Sequence, residues 1–218
     1  MDLSTFWSVL VNSSTPWLPS QALLPWALHG AWALVLGAVI VTLSARQPAV
    51  WRWSLTLASM AWLMLPGEIS PAHWLGLAFQ MPSLSSVVLC LMLLAKPALN
   101  ANSKPSSAWQ MLSLTGVVWG WVLLLDTLAL TPVSIYAWGF SPAALGIALL
   151  LLLLFWALWG GSATERSMPL MLAAVLALYV CTRLPSGNLW DTLLDPWLWL
   201  ILQWHWLRTW VRKVSSAQ

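Results

Sequence analysis

The stretch "PAALGIALLLLLLFWALWG", Pro142 to Gly160, contains no charged residue. Roughly 20 apolar residues at 1.5 Å each carry a helix across the hydrocarbon core of a bilayer. Nothing in this run offers water a polar face, so it reads as a membrane-spanning helix. The rest of the chain repeats the pattern. Apolar blocks bounded by Pro, Gly and charged residues fall at about 21–44, 50–65, 74–95, 108–130, 168–183 and 195–211, which makes seven candidate spans in all.

Composition agrees with that reading. The 218 residues are 60% hydrophobic and only 7% charged, with a mean hydropathy of +0.79. A soluble domain has roughly a quarter of its residues charged. The connections between blocks are short and leave no room for a soluble domain. The expected fold is therefore all-α, a single domain over residues 1–218 built as a bundle of seven transmembrane helices. The N-terminal segment, residues 1–20, is expected to lie outside or along the interface, and residues 212–218 to form a short cytoplasmic tail. That N-terminal segment carries Asp2 and no Lys or Arg, so it lacks the basic start of a secretory signal and is expected to be retained.

Charge distribution orients the bundle. Lys and Arg collect in short cytoplasmic loops. With the N-terminus outside, the inner side receives Arg46, Arg52, Lys96, Lys104, Arg166, Arg208, Arg212 and Lys213, and only Arg183 falls outside. A six-span alternative without the third block would put Lys96 and Lys104 outside. The net charge of +3 thus reflects membrane orientation, and because the basic residues form no patch, no nucleic-acid partner is expected. Compactness and the lack of targeting signals point to a multi-pass protein of a bacterial inner membrane.

Indoles favour the headgroup level, where the ring is apolar and the N–H stays wet. Trp17, Trp74, Trp138, Trp190, Trp197 and Trp199 are expected in an outer belt, and Trp51, Trp53, Trp109, Trp159 and Trp210 in an inner one. Trp32, Trp119 and Trp204 sit deeper and must pack in protein or lipid. Cys90 and Cys181 stand alone in apolar blocks with no paired-cysteine motif, so packing is their expected role.

The third block, "HWLGLAFQMPSLSSVVLCLMLLAK", has Pro82 near its middle, followed by Ser83, Ser85 and Ser86. Proline removes a helical hydrogen bond and frees a carbonyl, which a bilayer cannot solvate. The break either lines a binding site, as in many transporters, or is a plain kink.

Ionisable residues at membrane depth are functional candidates by default. His29 in the first span and His205 in the seventh lie at roughly 12 and 15 Å from the outer ends. Asp126 sits about 6 Å from the outer end of the fourth span, beside Trp119, Val122 and Leu123, a dry setting that disfavours the charged carboxylate unless a cation pairs with it. Arg183 closes the sixth span, while Glu68 and His73 occupy the outer loop before the third. Three uses fit. His29 and His205 could be the axial ligands of a b-type haem. His29, His205 and Asp126 could line a polar path, with Arg183, Glu68 and His73 at its mouth. Or each could be structural, hydrogen-bonded across a helix contact.

Seven spans with an outer N-terminus resemble the microbial rhodopsin layout, but the lysines are Lys96, Lys104 and Lys213, none at membrane depth where retinal would need one. Rhomboid proteases need a serine in a G-x-S-G setting, and Pro142 and Ala163 follow Ser141 and Ser162 where that second glycine would stand. The Trp-rich segment Trp119 to Pro142 is only superficially similar to that of haem-handling proteins. Phosphate-binding loops, H-E-x-x-H and EF-hand patterns are absent. Met60 and Met64, four apart, are read as packing and not as a soft-metal pair. No catalytic residue, metal or cofactor is expected. The reading that follows is a non-enzymatic accessory, assembly or scaffold protein whose partners are the lipid bilayer and other membrane-protein subunits; a small permease or ion conductor is the alternative.

Overall fold

The computed structural model describes residues 16–95, 106–161 and 165–215. The expectations for the first fifteen residues, for Lys96 and Lys104, for the side chains of Arg212 and Lys213 and for the chain beyond Ser215 lie outside that set. The described residues form ten α-helices and a short 3₁₀ turn, with no strand. The helices are α1 (Leu24–Leu43), α2 (Ala49–Leu63), α3 (Pro71–Phe79), α4 (Leu84–Ala95), α5 (Ser107–Thr127), α6 (Ile135–Trp138), α7 (Pro142–Trp159), α8 (Ser167–Thr182), α9 (Leu189–Leu193) and α10 (Pro196–Ser215). Three of them, α1, α5 and α7, are long and apolar enough to cross a membrane. Helices α4 and α8 are apolar but shorter.

Backbone contacts group the chain into two compact units, one of Trp17–Lys104 and Ala174–Gly187, the other of Met1–Pro16, Pro105–Ala173 and Asn188–Gln218. We call them the His29 unit and the His205 unit. The division falls inside α8.

In the His29 unit, α1 is the hub and packs against α2, α3 and α4. Small residues let it do so: Ala31, Ala33 and Ala38 are buried, and a Cβ on Gly37 would come within 2.9 Å of Met60 Sδ. Met60 thus lies against a glycine as a packing side chain. On α3, Gly76 gives the same kind of approach to Leu28. Trp32, Ala33, Leu63 and Ala72 form the buried centre, with Leu28, Leu36, Met60 and Leu75 around it. Helix α3 starts from Ser70, whose Oγ accepts from Ala72 N at 3.1 Å, with Pro71 in the first helical position, where the missing N–H costs nothing. It ends at Gln80, whose φ of 61° turns the chain out of helix, and α4 begins at Leu84 with Pro82 between.

In the His205 unit the same start signal recurs. Ser106 Oγ accepts from Trp109 N, Ser141 Oγ from Ala144 N, Asn188 Oδ1 from Trp190 N and Asp195 Oδ1 from Leu198 N. Pro142 and Pro196 follow two of these caps. Helix α10 packs along α5, and α6 touches it. Helix α7 presents leucine on all sides: Leu150 and Leu153 are 68% and 65% exposed, and Ala144 is buried. A helix apolar all round belongs in an apolar surround.

Candidate functional site

Of the residues singled out above, His29, Glu68, His73, Pro82 and Arg183 belong to the His29 unit, and Asp126 and His205 to the His205 unit.

His29 is half-buried, and its Nδ1 lies 2.7 Å from Leu63 O, the last carbonyl of α2. A carbonyl only accepts, so Nδ1 carries the proton and donates. Ser70 Oγ donates to the same carbonyl at 2.8 Å and stands 3.3 Å from His29 Nδ1. One oxygen freed at a helix end thus draws two donors from two other elements. Close by, Trp32 Nε1 donates to Gln80 O at 2.9 Å, one of the carbonyls left open where α3 stops. Ser83 Oγ accepts from Ser86 N at 3.1 Å and restarts α4. The Pro82 break is therefore closed by side chains on both flanks.

Glu68 is exposed, and its backbone carbonyl accepts from Trp74 Nε1 at 2.9 Å. His73 stands edge-on to Trp74, ring centroids 5.4 Å apart. Arg183, at the end of α8, has its guanidinium over the rings of Tyr179, at 4.9 Å, and Trp17, at 5.3 Å.

Asp126 does not meet a cation among the described residues. Its Oδ1 accepts from the Thr131 hydroxyl, and its Oδ2 from Tyr136 N at 2.7 Å. Tyr136 is held at three points, because its carbonyl accepts from Asn188 Nδ2 at 3.0 Å and its hydroxyl donates to Asp191 Oδ2 at 2.7 Å. Burial, reinforced by the Asp191 carboxylate, pushes the Tyr136 phenol far above its ordinary range and keeps it a donor. Asn188 is fully buried against Gly139, where a Cβ would collide with Asn188 Oδ1. Leu189 N donates to Gly139 O, and Trp190 Nε1 to Ile135 O, each at 3.0 Å. The loops after α5 and before α10 are thereby tied into one knot.

His205 is half-buried on α10, the helix that meets α5 along a seam the sequence reading missed. Gly116 and Gly120 of α5 face α10: a Cβ on Gly116 would lie 2.8 Å from Leu202 Cδ1, and one on Gly120 2.3 Å from the Trp199 ring. Trp199 Nε1 donates to Val117 O at 3.1 Å, and Trp206 Nε1 to Ser113 Oγ at 3.1 Å. The signal was present as Gly116-x-x-x-Gly120, the spacing that puts two small residues on one helix face. Trp190 and Trp199 donate their indole N–H groups to protein carbonyls, Ile135 O and Val117 O. Trp204 is 64% exposed.

At the other end of the unit, Glu165 accepts from Ala108 N at 2.9 Å and Ser107 N at 3.2 Å, at the start of α5. These N–H groups, Ala108 first, hold its carboxyl below the ordinary range. Trp159 Nε1 donates to Ser107 Oγ at 2.8 Å, and Arg166 Nε to Gly160 O at 2.5 Å.

Chemically, the described polar groups mostly close backbone and loops. No group of three or more His, Cys, Asp or Glu that could hold a metal occurs among the described residues. No family model matches this chain, and no curated protein or solved structure matches it either.

Proposed function

We propose that this chain is a seven-span protein of a bacterial inner membrane, N-terminus outside, acting as a non-catalytic accessory or scaffold subunit of a membrane complex. Each of the seven apolar blocks coincides with helix: α1, α2, the α3–α4 pair, α5, α7, α8 and α10. The observation that carries the functional reading is what the polar groups do. His29 and Ser70 serve the Leu63 carbonyl, Trp32 serves Gln80, and Asp126 serves Thr131 and Tyr136. Each of these bonds closes a helix end or a loop, a structural use, and His29 makes its bond through Nδ1. Most of what α5 and α7 expose is apolar side chain, which suits lipid or another membrane helix.

Purification from membranes in a mild detergent tests this. The expected result is a colourless protein that migrates with defined membrane-protein partners and has no turnover or flux of its own after reconstitution. A Soret band lost on replacing His29 or His205, or a reconstituted flux lost on replacing Asp126, would contradict it.

A further inference from the structure

Among the described residues, three buried side-chain nitrogens have no hydrogen-bond partner, and one of them is Arg183 Nε. A buried N–H left without an acceptor is costly, and more so when the group is charged. We infer that Arg183 is a recognition residue for the phosphodiester of a phospholipid headgroup at the outer face of the membrane, an assignment that rests on the membrane reading above.

The loop holding Arg183 is built to keep it still. Arg183 N donates to Tyr179 O at 2.7 Å, and its own carbonyl accepts from Gly187 N at 2.8 Å. Tyr179, itself buried, donates its hydroxyl to Gly187 O at 2.8 Å. Gly187 has φ of 84°, and a Cβ there would come within 2.7 Å of Trp17 O, so the segment bearing Trp17 lies against the same loop. Arg183 takes φ of 58°, the left-handed conformation that stops α8, which fixes where its side chain leaves the helix. The guanidinium is then flanked by the two aromatic rings, which attract the cation without supplying an acceptor to its N–H fork.

No carboxylate faces Arg183 among the described residues. A planar guanidinium of fixed orientation, whose terminal N–H groups lie outside that buried set, matches a phosphate oxygen pair better than it matches water, because the fork is bidentate and weakly hydrated. Its position fits that ligand. Arg183 ends a span on the side where the positive-inside pattern puts no other basic residue, and Trp17, 74% exposed, is the sort of side chain that marks headgroup depth.

The test uses the full chain in mild detergent, with bound lipid counted by native mass spectrometry. Phosphatidylglycerol is compared with diacylglycerol of the same acyl chains, which lacks the phosphate, and with inorganic phosphate as competitor. Arg183→Gln should lower phosphatidylglycerol retention about tenfold, the scale of one charge-assisted contact. Arg183→Lys, which keeps the charge and loses the fork, should hold an intermediate amount, and Arg208→Gln should bind as the parent does. Equal retention by the parent and both Arg183 variants would overturn the inference. So would diacylglycerol binding with the same dependence on Arg183, and full displacement by inorganic phosphate would reassign the site to the free anion. Alkaline carbonate extraction of the same cells separates the two failures: a chain released from the membrane sinks the membrane reading, and one that stays sinks only the lipid site.

Discussion

The two units hold their helices together with different side chains. In the His29 unit, side chains reach carbonyls freed where helices stop: His29 and Ser70 at Leu63, Trp32 at Gln80. In the His205 unit, α5 and α10 meet along Gly116 and Gly120, with the indoles of Trp199 and Trp206 laid on the small-residue face and bonded to Val117 O and Ser113 Oγ. Lipid tails are as apolar as leucine, so burying leucine does not drive helices together in a bilayer. Close contact of backbones and satisfaction of stranded polar groups do. Both units use both: in the His29 unit Gly37 and Gly76 admit Met60 and Leu28 while His29, Ser70 and Trp32 serve the stranded carbonyls, and in the His205 unit the same indoles that fill the glycine seam also make the bonds.

The largest effect should come from the glycine seam. Gly120→Val inserts carbon where the Trp199 ring lies only 2.3 Å from the place a Cβ would occupy, so the indole must leave and Val117 O loses its donor. Overpacking of this kind costs about 1–3 kcal/mol, and thermal unfolding of the detergent-solubilised protein should register the upper end of that range. An unchanged midpoint would mean that α5 and α10 do not meet there.

Trp32→Phe keeps an aromatic ring in place and deletes the donor to Gln80 O. Leaving that carbonyl unmet should cost about 1–2 kcal/mol, read in the same assay. His29→Leu should cost less, about 0.6 kcal/mol, because Ser70 still serves Leu63 O. Combining it with Ser70→Ala removes both donors, and the pair should lose more than the sum of the single changes. Strict additivity would show that the two donors do not share the carbonyl.

The smallest effect is at Glu165. Its folded-state pKa is lowered, so the stability it contributes is fully present above the unfolded value of about 4.3 and is lost as pH falls through the folded value. The parent should outlast Glu165→Gln at neutral pH, and the difference should close on acidification. A gap that persisted with the carboxyl protonated would assign the effect to shape instead.

Element positions were legible in the sequence because apolar length and punctuation are local properties. The first block, read at 21–44, forms helix over Leu24–Leu43, and Pro82 stands in the gap between α3 and α4. Ser70-Pro71, Ser141-Pro142 and Asp195-Pro196 were there to be read as helix starts. What the chain does not spell out is which carbonyl a side chain will find. His29 could be read as a group at depth, but Leu63 is 34 residues away. Tryptophan is ambiguous for the same reason: the indoles of Trp17 and Trp190 look alike in the sequence, and the partner of Trp190, the Ile135 carbonyl, lies 55 residues away. Gly116 and Gly120 were legible by spacing, and their partner helix was not.

Membrane topology tests the central claim most directly. Single cysteines at Gly67, Val133 and Ser186, in a background without Cys90 and Cys181, are labelled in intact cells with a membrane-impermeant maleimide, alongside reporter fusions after Lys104 and Gln218. Seven spans with the N-terminus outside predict labelling at all three cysteines and both fusion points in the cytoplasm. Fusion points on opposite sides, or recovery of the chain without detergent, would contradict it.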